Sequence, residues 1–466
     1  GETWVKRDIP QPRGKVLGGS SAINGLVYIR GQREDYDHWR QLGCTGWSYD
    51  DVLPYFIRAE DQQRGADDYH GVGGPLAVSD PKVRHPMGDA FIESAIAAGH
   101  RRNDDVNGAD QEGIGTIQWT IRNGRRCSAA VGYLKPARKR RNLAVATDAH
   151  ATRLLCDGRR AVGVEYRQGG TLHTARARGE VIVSGGAINS PQLLQLSGLG
   201  PAALLREHGI DVVADMPDVG ENLQDHINAP LMLRINRPIT GNDMFHSLPR
   251  RILAGTRYAL DRSGLLAAGV THAGGFFRAD PNAASPDMQI QLMLFSADVI
   301  GQEPHRWSGC TVVPALMRPE SRGHVRIVSP DPFAKPVIQP NYLSEKKDRD
   351  VLLAGLKEAR RIVAQRPFAD YVEAEYAPGP GVTGDDELVA YLCEKGRTSY
   401  HPVATCRMGI DDRSVVDPRL RVRGFEGLRV VDASVMPALV TGNTNAPTIM
   451  IGEKTSDMIL EDARAA

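Results

Sequence analysis

The first limits on this chain of 466 residues come from what it lacks. It has almost no net charge: 57 Lys and Arg stand against 56 Asp and Glu, a balance of +1. Such a chain has no electrostatic reason to bind nucleic acid or an acidic surface. The short basic run Arg138-Lys139-Arg140-Arg141 reads as a solvated helix end. No window approaches the roughly 18 uninterrupted apolar residues of a spanning helix. The opening stretch, Gly1-Glu2-Thr3-Trp4-Val5-Lys6-Arg7, has no apolar core and does not read as a signal peptide. The expected location is cytoplasmic, with peripheral contact at the inner membrane as its variant.

Paired cysteines are missing too. Cys44, Cys127, Cys156, Cys310, Cys393 and Cys406 are scattered, with no CxxC and no Cys/His cluster at zinc spacing. They read as reduced thiols, and no metal site is expected. A strand–GxGxxG–helix unit is also missing from the front of the sequence. Gly71-Val72-Gly73-Gly74 runs into Pro75, and Gly198-Leu199-Gly200 runs into Pro201. Neither opens a helix after a buried strand, which argues against a nicotinamide dehydrogenase. The remaining mix, 41% hydrophobic and 24% charged, is that of a globular protein of two or three domains.

What is present is concentrated in four segments. The first is Gly14-Lys15-Val16-Leu17-Gly18-Gly19-Ser20-Ser21-Ala22-Ile23-Asn24. Glycines there let backbone approach a ligand, and consecutive N–H groups can nest anionic oxygens. The second runs from Gly186 through Ser190-Pro191 to Gly200, after the strand-like Glu180–Ser184. The third is Tyr400-His401-Pro402-Val403-Ala404, and the fourth runs from Val431-Asp432-Ala433 to Asn443-Thr444-Asn445-Ala446-Pro447-Thr448.

Between them the patterns alternate. Ser48 is placed to cap a helix, and Pro86 to Gly99 is amphipathic with Met87, Phe91 and Ala95 on one face. Leu143–Thr147, Val162–Tyr166 and Glu180–Ser184 read as strands, the last of them buried. Ser190-Pro191 reads as a cap and first helical residue. Met288–Leu294 and His324–Val328 alternate as antiparallel strands, and Asp348–Gln365 reads as a one-sided helix.

The four segments, in this order, resemble the signatures of the glucose-methanol-choline (GMC) flavoprotein oxidoreductases. The resemblance implies an α/β fold: a doubly wound FAD-binding domain, and a substrate domain with an antiparallel sheet backed by helices. The FAD domain would be discontinuous, at 1–70, 136–235 and 405–466, with 71–135 and 236–404 forming the substrate domain. The family's N-terminal βαβ unit with its GxGxxG turn finds no match. The expectation is a chain that starts partway into its FAD domain, its front supplied as a separate N-terminal piece or lost.

By the same resemblance, His401 is the catalytic base and Asn443 orients the substrate oxygen. Histidine suits proton removal because its ordinary pKa lies near neutrality. An asparagine amide cannot take a proton but can donate to a developing alkoxide. His226 matches a recurrent family segment and is expected to be structural or near the cofactor. Gly18, Gly19 and Ser20 would approach the pyrophosphate and ribityl chain, and Asn24, Gly25 and Leu26 the flavin ring. Ala151, Ser184 and Gly185 would flank the adenosine. Asp432 and Ala433 would meet the ribityl-phosphate region, and Asn445 and Thr448 the ring edge. Ile23 stands where some members tether the flavin through histidine, so the FAD is expected to be non-covalent. Ala404 stands where glycine is common.

The activity implied is oxidation of a small primary alcohol to an aldehyde, with a quinone or another electron acceptor. An oxygen-using oxidase, a hydroxynitrile lyase and a truncated chain without a working FAD site are the alternatives.

Overall fold

Two apolar clusters divide the chain, and their membership explains why it crosses between two units several times. A computed structural model describes residues 4–299 and 301–465, so the first three residues of the opening stretch lie outside the described residues. One cluster gathers Tyr28, Trp39, Phe56, Leu154, Val183 and Met450. The other gathers Phe91, Leu233, Ile290, Val312, Leu356 and Phe368.

Local sequence sets most helix ends. Helix α1 spans Arg33–Gln41 and α2 spans Tyr49–Ala59. Ser48 caps α2 in a capping box, its N–H donating to Asp51 Oδ2 at 3.0 Å. Helix α3, Pro86–Ala97, has proline in its first turn and is followed by Gly99 at φ 97°. Helix α4 spans Gly186–Leu196, the short α5 spans Gly241–His246 and α6 spans Leu248–Asp261. Helix α7, Lys346–Val363, buries Leu352, Leu356, Ala359 and Ile362 along one side. Helix α8 spans Asn445–Ala465 and packs on α2.

The larger sheet is antiparallel. Its strands follow the order 271–277, 288–293, 309–316, 227–228 and 397–398. Strand Leu231–Ile235 pairs with Gly309–Leu316 on one side and Val372–Ala377 on the other. The strands at 227–235, which the sequence boundaries put on the FAD side of 235/236, thus hydrogen-bond into this sheet. In the other unit, Val181–Val183 pairs in parallel with Leu428–Val430, and His150–Arg176 folds as a three-stranded antiparallel meander.

Three expectations change. Leu143–Thr147 forms no strand, because no described strand offers it a ladder of hydrogen bonds; pairing begins at His150. Ala151 therefore lies within a strand and is exposed there. The strand expected to be buried is the short Val181–Val183, with Ile182 exposed, since it pairs only with 428–430 among the described residues. Helix α4 starts at Gly186 rather than at Pro191. Its first N–H groups find a distant acceptor: Gly186 N–H donates to Asp432 Oδ2 at 2.9 Å. Ser190 Oγ donates to the same oxygen at 2.5 Å and accepts from Gly185 N–H at 2.9 Å.

Candidate active site

Two strands in register bring the catalytic candidates together. Gln224 and Val403 exchange both backbone hydrogen bonds, and Ser399 N–H donates to the His226 carbonyl. This pairing lays the segment after Ser399 beside His226. Asp225 then fixes the backbone of His401, whose N–H donates to Asp225 Oδ1 at 2.8 Å. Thr398 and Tyr342 donate to Asp225 Oδ2 at 2.6 and 2.5 Å. Tyr400 and Ala404, on either side of His401, both take left-handed backbone at φ 63° and 72°. That conformation favours glycine, which accounts for the glycine expected at position 404.

The hydrogen bonds settle which nitrogen of His401 is free. A carbonyl only accepts, so His226 Nε2, 3.1 Å from the Met317 oxygen, carries a proton. His226 is fully buried, and burial pushes it down to about 3, so its other nitrogen holds a lone pair. That lone pair, on Nδ1, lies 2.9 Å from His401 Nδ1, which must donate. His401 Nε2 is left unprotonated and faces the Asn443 amide nitrogen at 3.1 Å. Gln289 Nε2 donates to Asn443 Oδ1 at 3.3 Å, which turns the amide so that its N–H₂ faces the imidazole. Burial first, then His226 and Arg13, push His401 well below the ordinary histidine value. The result is a neutral imidazole with one lone pair aimed at an amide donor.

Asn443 is held from behind. Thr441 N–H donates to Asp35 Oδ2 at 2.7 Å, its hydroxyl to Asp35 Oδ1 at 2.9 Å, and Gln111 Nε2 donates to its carbonyl at 2.9 Å. Gly442 sits at φ 136°, and a Cβ there would meet Ile29 Cγ2 at 2.2 Å. The residues flanking the glycine segment touch both neighbouring segments. Arg13, just before it, donates to the Tyr400 carbonyl at 3.1 Å, and Ile29, just after it, abuts Gly442.

Within that segment Gly18 and Gly19 have φ 93° and 54°, and a single 3₁₀ turn, Gly19–Ala22, follows. Ser20 Oγ turns inward and accepts from Gly14 N–H at 3.2 Å. Asn24 Oδ1 accepts from Leu26 N–H at 3.1 Å and from Arg126 at 2.6 Å. A Cβ at Gly25 would meet Val270 Cγ2 at 2.6 Å. Ile23 is exposed. Asn445 begins helix α8, and Thr448 Oγ1 donates to the Thr444 carbonyl at 2.7 Å. Ser184 and Gly185 are exposed, and Asp432, beside Ala433, is committed to the start of α4.

A neutral imidazole, an amide donor in contact with it, and a glycine loop whose flanks touch the segments carrying both, in a mixed α/β fold, make the frame of an oxidoreductase for alcohols. Comparison with known proteins gives the family. Residues 5–228 and 319–452 match the two models described as GMC oxidoreductase, and the chain belongs to that family. It is 43% identical over 458 residues to an alcohol dehydrogenase (acceptor) of Pseudomonas putida, covering 98% of this chain and 83% of that one. It is 44% identical over 450 residues to the mitochondrial choline dehydrogenase of Homo sapiens, covering 96% and 76%. Pyridoxine 4-oxidase from Mesorbium loti superposes with a TM-score of 0.86 at 30% identity, covering 96% of this chain and 84% of that one. The chain is therefore a flavoprotein enzyme acting on CH–OH donors, with FAD as its cofactor.

The residues fit the flavin end of that cofactor. Gly14, Gly25 and Gly442 are packed so closely that a Cβ would meet neighbouring atoms at 2.2 to 2.6 Å, which gives the loop around Gly18–Leu26 one shape. Ser184 and Gly185 follow directly on the short parallel pairing of Val181–Val183 with Leu428–Val430. Sequence reasoning gave His226 no part in the chemistry. Its place in Gln224-Asp225-His226 carried no sign of the proton it would accept.

Proposed function

We propose that this chain oxidises a primary alcohol to an aldehyde, with His401 as general base and Asn443 orienting the substrate oxygen. The observation that carries this reading is the lone pair on His401 Nε2, set 3.1 Å from the Asn443 amide. An alcohol oxygen set against both, in place of their direct contact, would donate its proton to Nε2 and accept from the amide. As alkoxide character develops, the amide hydrogen bond strengthens and the imidazole becomes cationic. FAD, when bound, would supply two-electron acceptance at the carbinol carbon.

In the same reading Gly18, Gly19 and Ser20 lie along the pyrophosphate and ribityl chain. Asn24, Gly25, Leu26, Asn445 and Thr448 border a non-covalently bound ring. Ala151, Ser184, Gly185, Asp432 and Ala433 serve the adenosine and ribityl-phosphate side. The two apolar clusters correspond to an FAD domain and a substrate domain. Electrons pass to a quinone or a similar acceptor at a peripheral membrane contact.

The test is the visible spectrum of purified protein before and after anaerobic addition of primary alcohols. Flavin bands that bleach, with aldehyde formed, support the reading. Flavin bands that persist with every alcohol defeat it, and colourless protein defeats the cofactor assignment. Bleaching under air with peroxide formed would favour an oxidase.

A further inference from the structure

Helix α6 is turned the wrong way round for a soluble surface. Leu248, Ile252, Leu253 and Leu260 fall within an arc of roughly 140° on a helical wheel, opposite Arg250, Arg257 and Asp261. An amphipathic helix normally buries such an arc. Here it points outward: the four side chains are 60%, 60%, 69% and 82% exposed. The half-buried side carries Arg250, Ala254, Gly255 and Tyr258, while Arg257 and Asp261 are exposed. Arg250 donates to the Pro238 carbonyl, and Arg257 Nε to Ser263 Oγ at 2.9 Å. No residue of α6 is buried. Phe245 of α5 and Leu266, just beyond α6, extend the apolar ridge at its two ends.

We propose that α6 is a membrane-docking element that lays this ridge into the interface of an anionic lipid bilayer. Charge argues for lipid over protein. Residues 244–270 hold four arginines and a single acid, Asp261. Asp261 Oδ1 is itself engaged by Ser263 N–H at 3.0 Å, while Lys82 donates to its carbonyl. Leucines on a protruding ridge with arginines along its border match acyl chains beneath anionic headgroups. No described helix is long and apolar enough to span a membrane, so the contact is a surface one.

The ridge also adjoins the flavin loop. Arg262 packs on the turn at Gly124, and Arg126 of the same hairpin reaches Asn24. Val270 N–H donates to the Gly25 carbonyl at 3.2 Å. Docking through α6 would bring the loop to the bilayer surface, where an apolar alcohol and a lipid-soluble acceptor are concentrated. That last consequence rests on the proposed alcohol oxidation; the docking surface does not.

The experiment is co-sedimentation of the flavin-loaded protein with phosphatidylcholine vesicles, with and without phosphatidylglycerol, across a salt series. Binding to the anionic vesicles, weakened by salt, is expected. Leu253→Gln with Leu260→Gln should cut it by about tenfold or more while flavin absorbance and dye-linked turnover of a soluble alcohol stay unchanged. Arg251→Gln should flatten the salt dependence. No binding by the parent protein, or equal binding by the double variant, overturns the proposal. A dimer of the parent that dissociates in the double variant overturns it as well, in favour of a second copy. Failure of the alcohol reading would appear separately, as absent turnover with vesicle binding intact.

Discussion

His401 and His70 are both buried histidines held through both ring nitrogens, yet their surroundings drive them to opposite charge states. His401 has His226 on one side and Asn443 on the other, neither of them acidic. His70 sits between Glu60, 3.0 Å from Nδ1, and Asp105, 2.9 Å from Nε2. Burial alone would lower both. At His401 nothing opposes it, and the group stays neutral. At His70 the hydrogen bonds it donates to Asp105 and then Glu60 outweigh burial and hold it up at about 9, despite nearby Arg30. A neutral ring can take a proton, whereas a charged one serves as a fixed donor. The charge of the partners, rather than depth, therefore separates His401, the proposed base, from His70.

Exchanging the roles should give the largest effects. His401→Ala is expected to lower turnover by about a hundredfold or more with flavin retained. His70→Gln should leave turnover within a few-fold. It should also lower unfolding free energy by about 2–3 kcal/mol, because Glu60 keeps its buried pair with Arg30 but loses a donor. Steady-state kinetics and urea melts on the two variants check this. If His70→Gln abolished turnover at unchanged stability, the contrast would collapse.

The two sites should also tilt stability in opposite directions with pH. His226 is neutral when folded, with its value lowered to about 3 from 6.5. As pH falls below about 6.5 the unfolded chain takes up a proton that the folded one refuses. Stability then drops by ~1.4 kcal/mol per pH unit down to about 3. His70 is raised from 6.5 to about 9, so its contribution is full below about 6.5. It is lost at a similar rate as pH rises toward about 9. Melting temperatures across this range should show the acid arm flattened in His226→Asn and the alkaline arm flattened in His70→Gln. Arms unchanged by these substitutions would mean other groups set them.

A smaller effect tests how His226 acts. His226→Leu leaves the His401 Nδ1 proton without its acceptor, so the imidazole loses its fixed tautomer. A fall in kcat/KM of about tenfold is expected, mostly in kcat, with His226→Asn recovering much of it because its amide oxygen can accept. In the parent, the acid limb of kcat/KM should lie well below pH 6.5, since protonation of His401 is disfavoured. A limb at or above 6.5 would count against a neutral base.

Local chemistry was legible in the sequence; long-range partners were not. Ser48 and Asp51 are three residues apart, and the α2 cap they form could be read directly. His401 and Asn443 stood out because each lies in a distinctive segment. His226 did not, because its bond to His401 spans 175 positions and depends on the register of two strands. The start of α4 was misplaced for the same reason: its cap is Asp432, which lies 246 positions beyond Gly186. Leu143–Thr147 has strand composition, but composition supplies no partner strand.

The smallest expected effect concerns the backbone that aims His401. Ala404 is fully buried at φ 72°, where an L-residue costs about 1–2 kcal/mol. Ala404→Gly removes that strain, but it adds unfolded-chain freedom worth about 0.5–1 kcal/mol and gives up a buried methyl worth ~0.8 kcal/mol. The terms nearly cancel, so unfolding free energy should move by less than about 1 kcal/mol. Turnover should stay within about twofold, because His401 is anchored by Asp225 at its own N–H rather than by the 404 side chain. A tenfold loss of turnover at unchanged stability would show instead that the methyl group positions the ring. The contrast with His70 would then rest on packing as well as on charge.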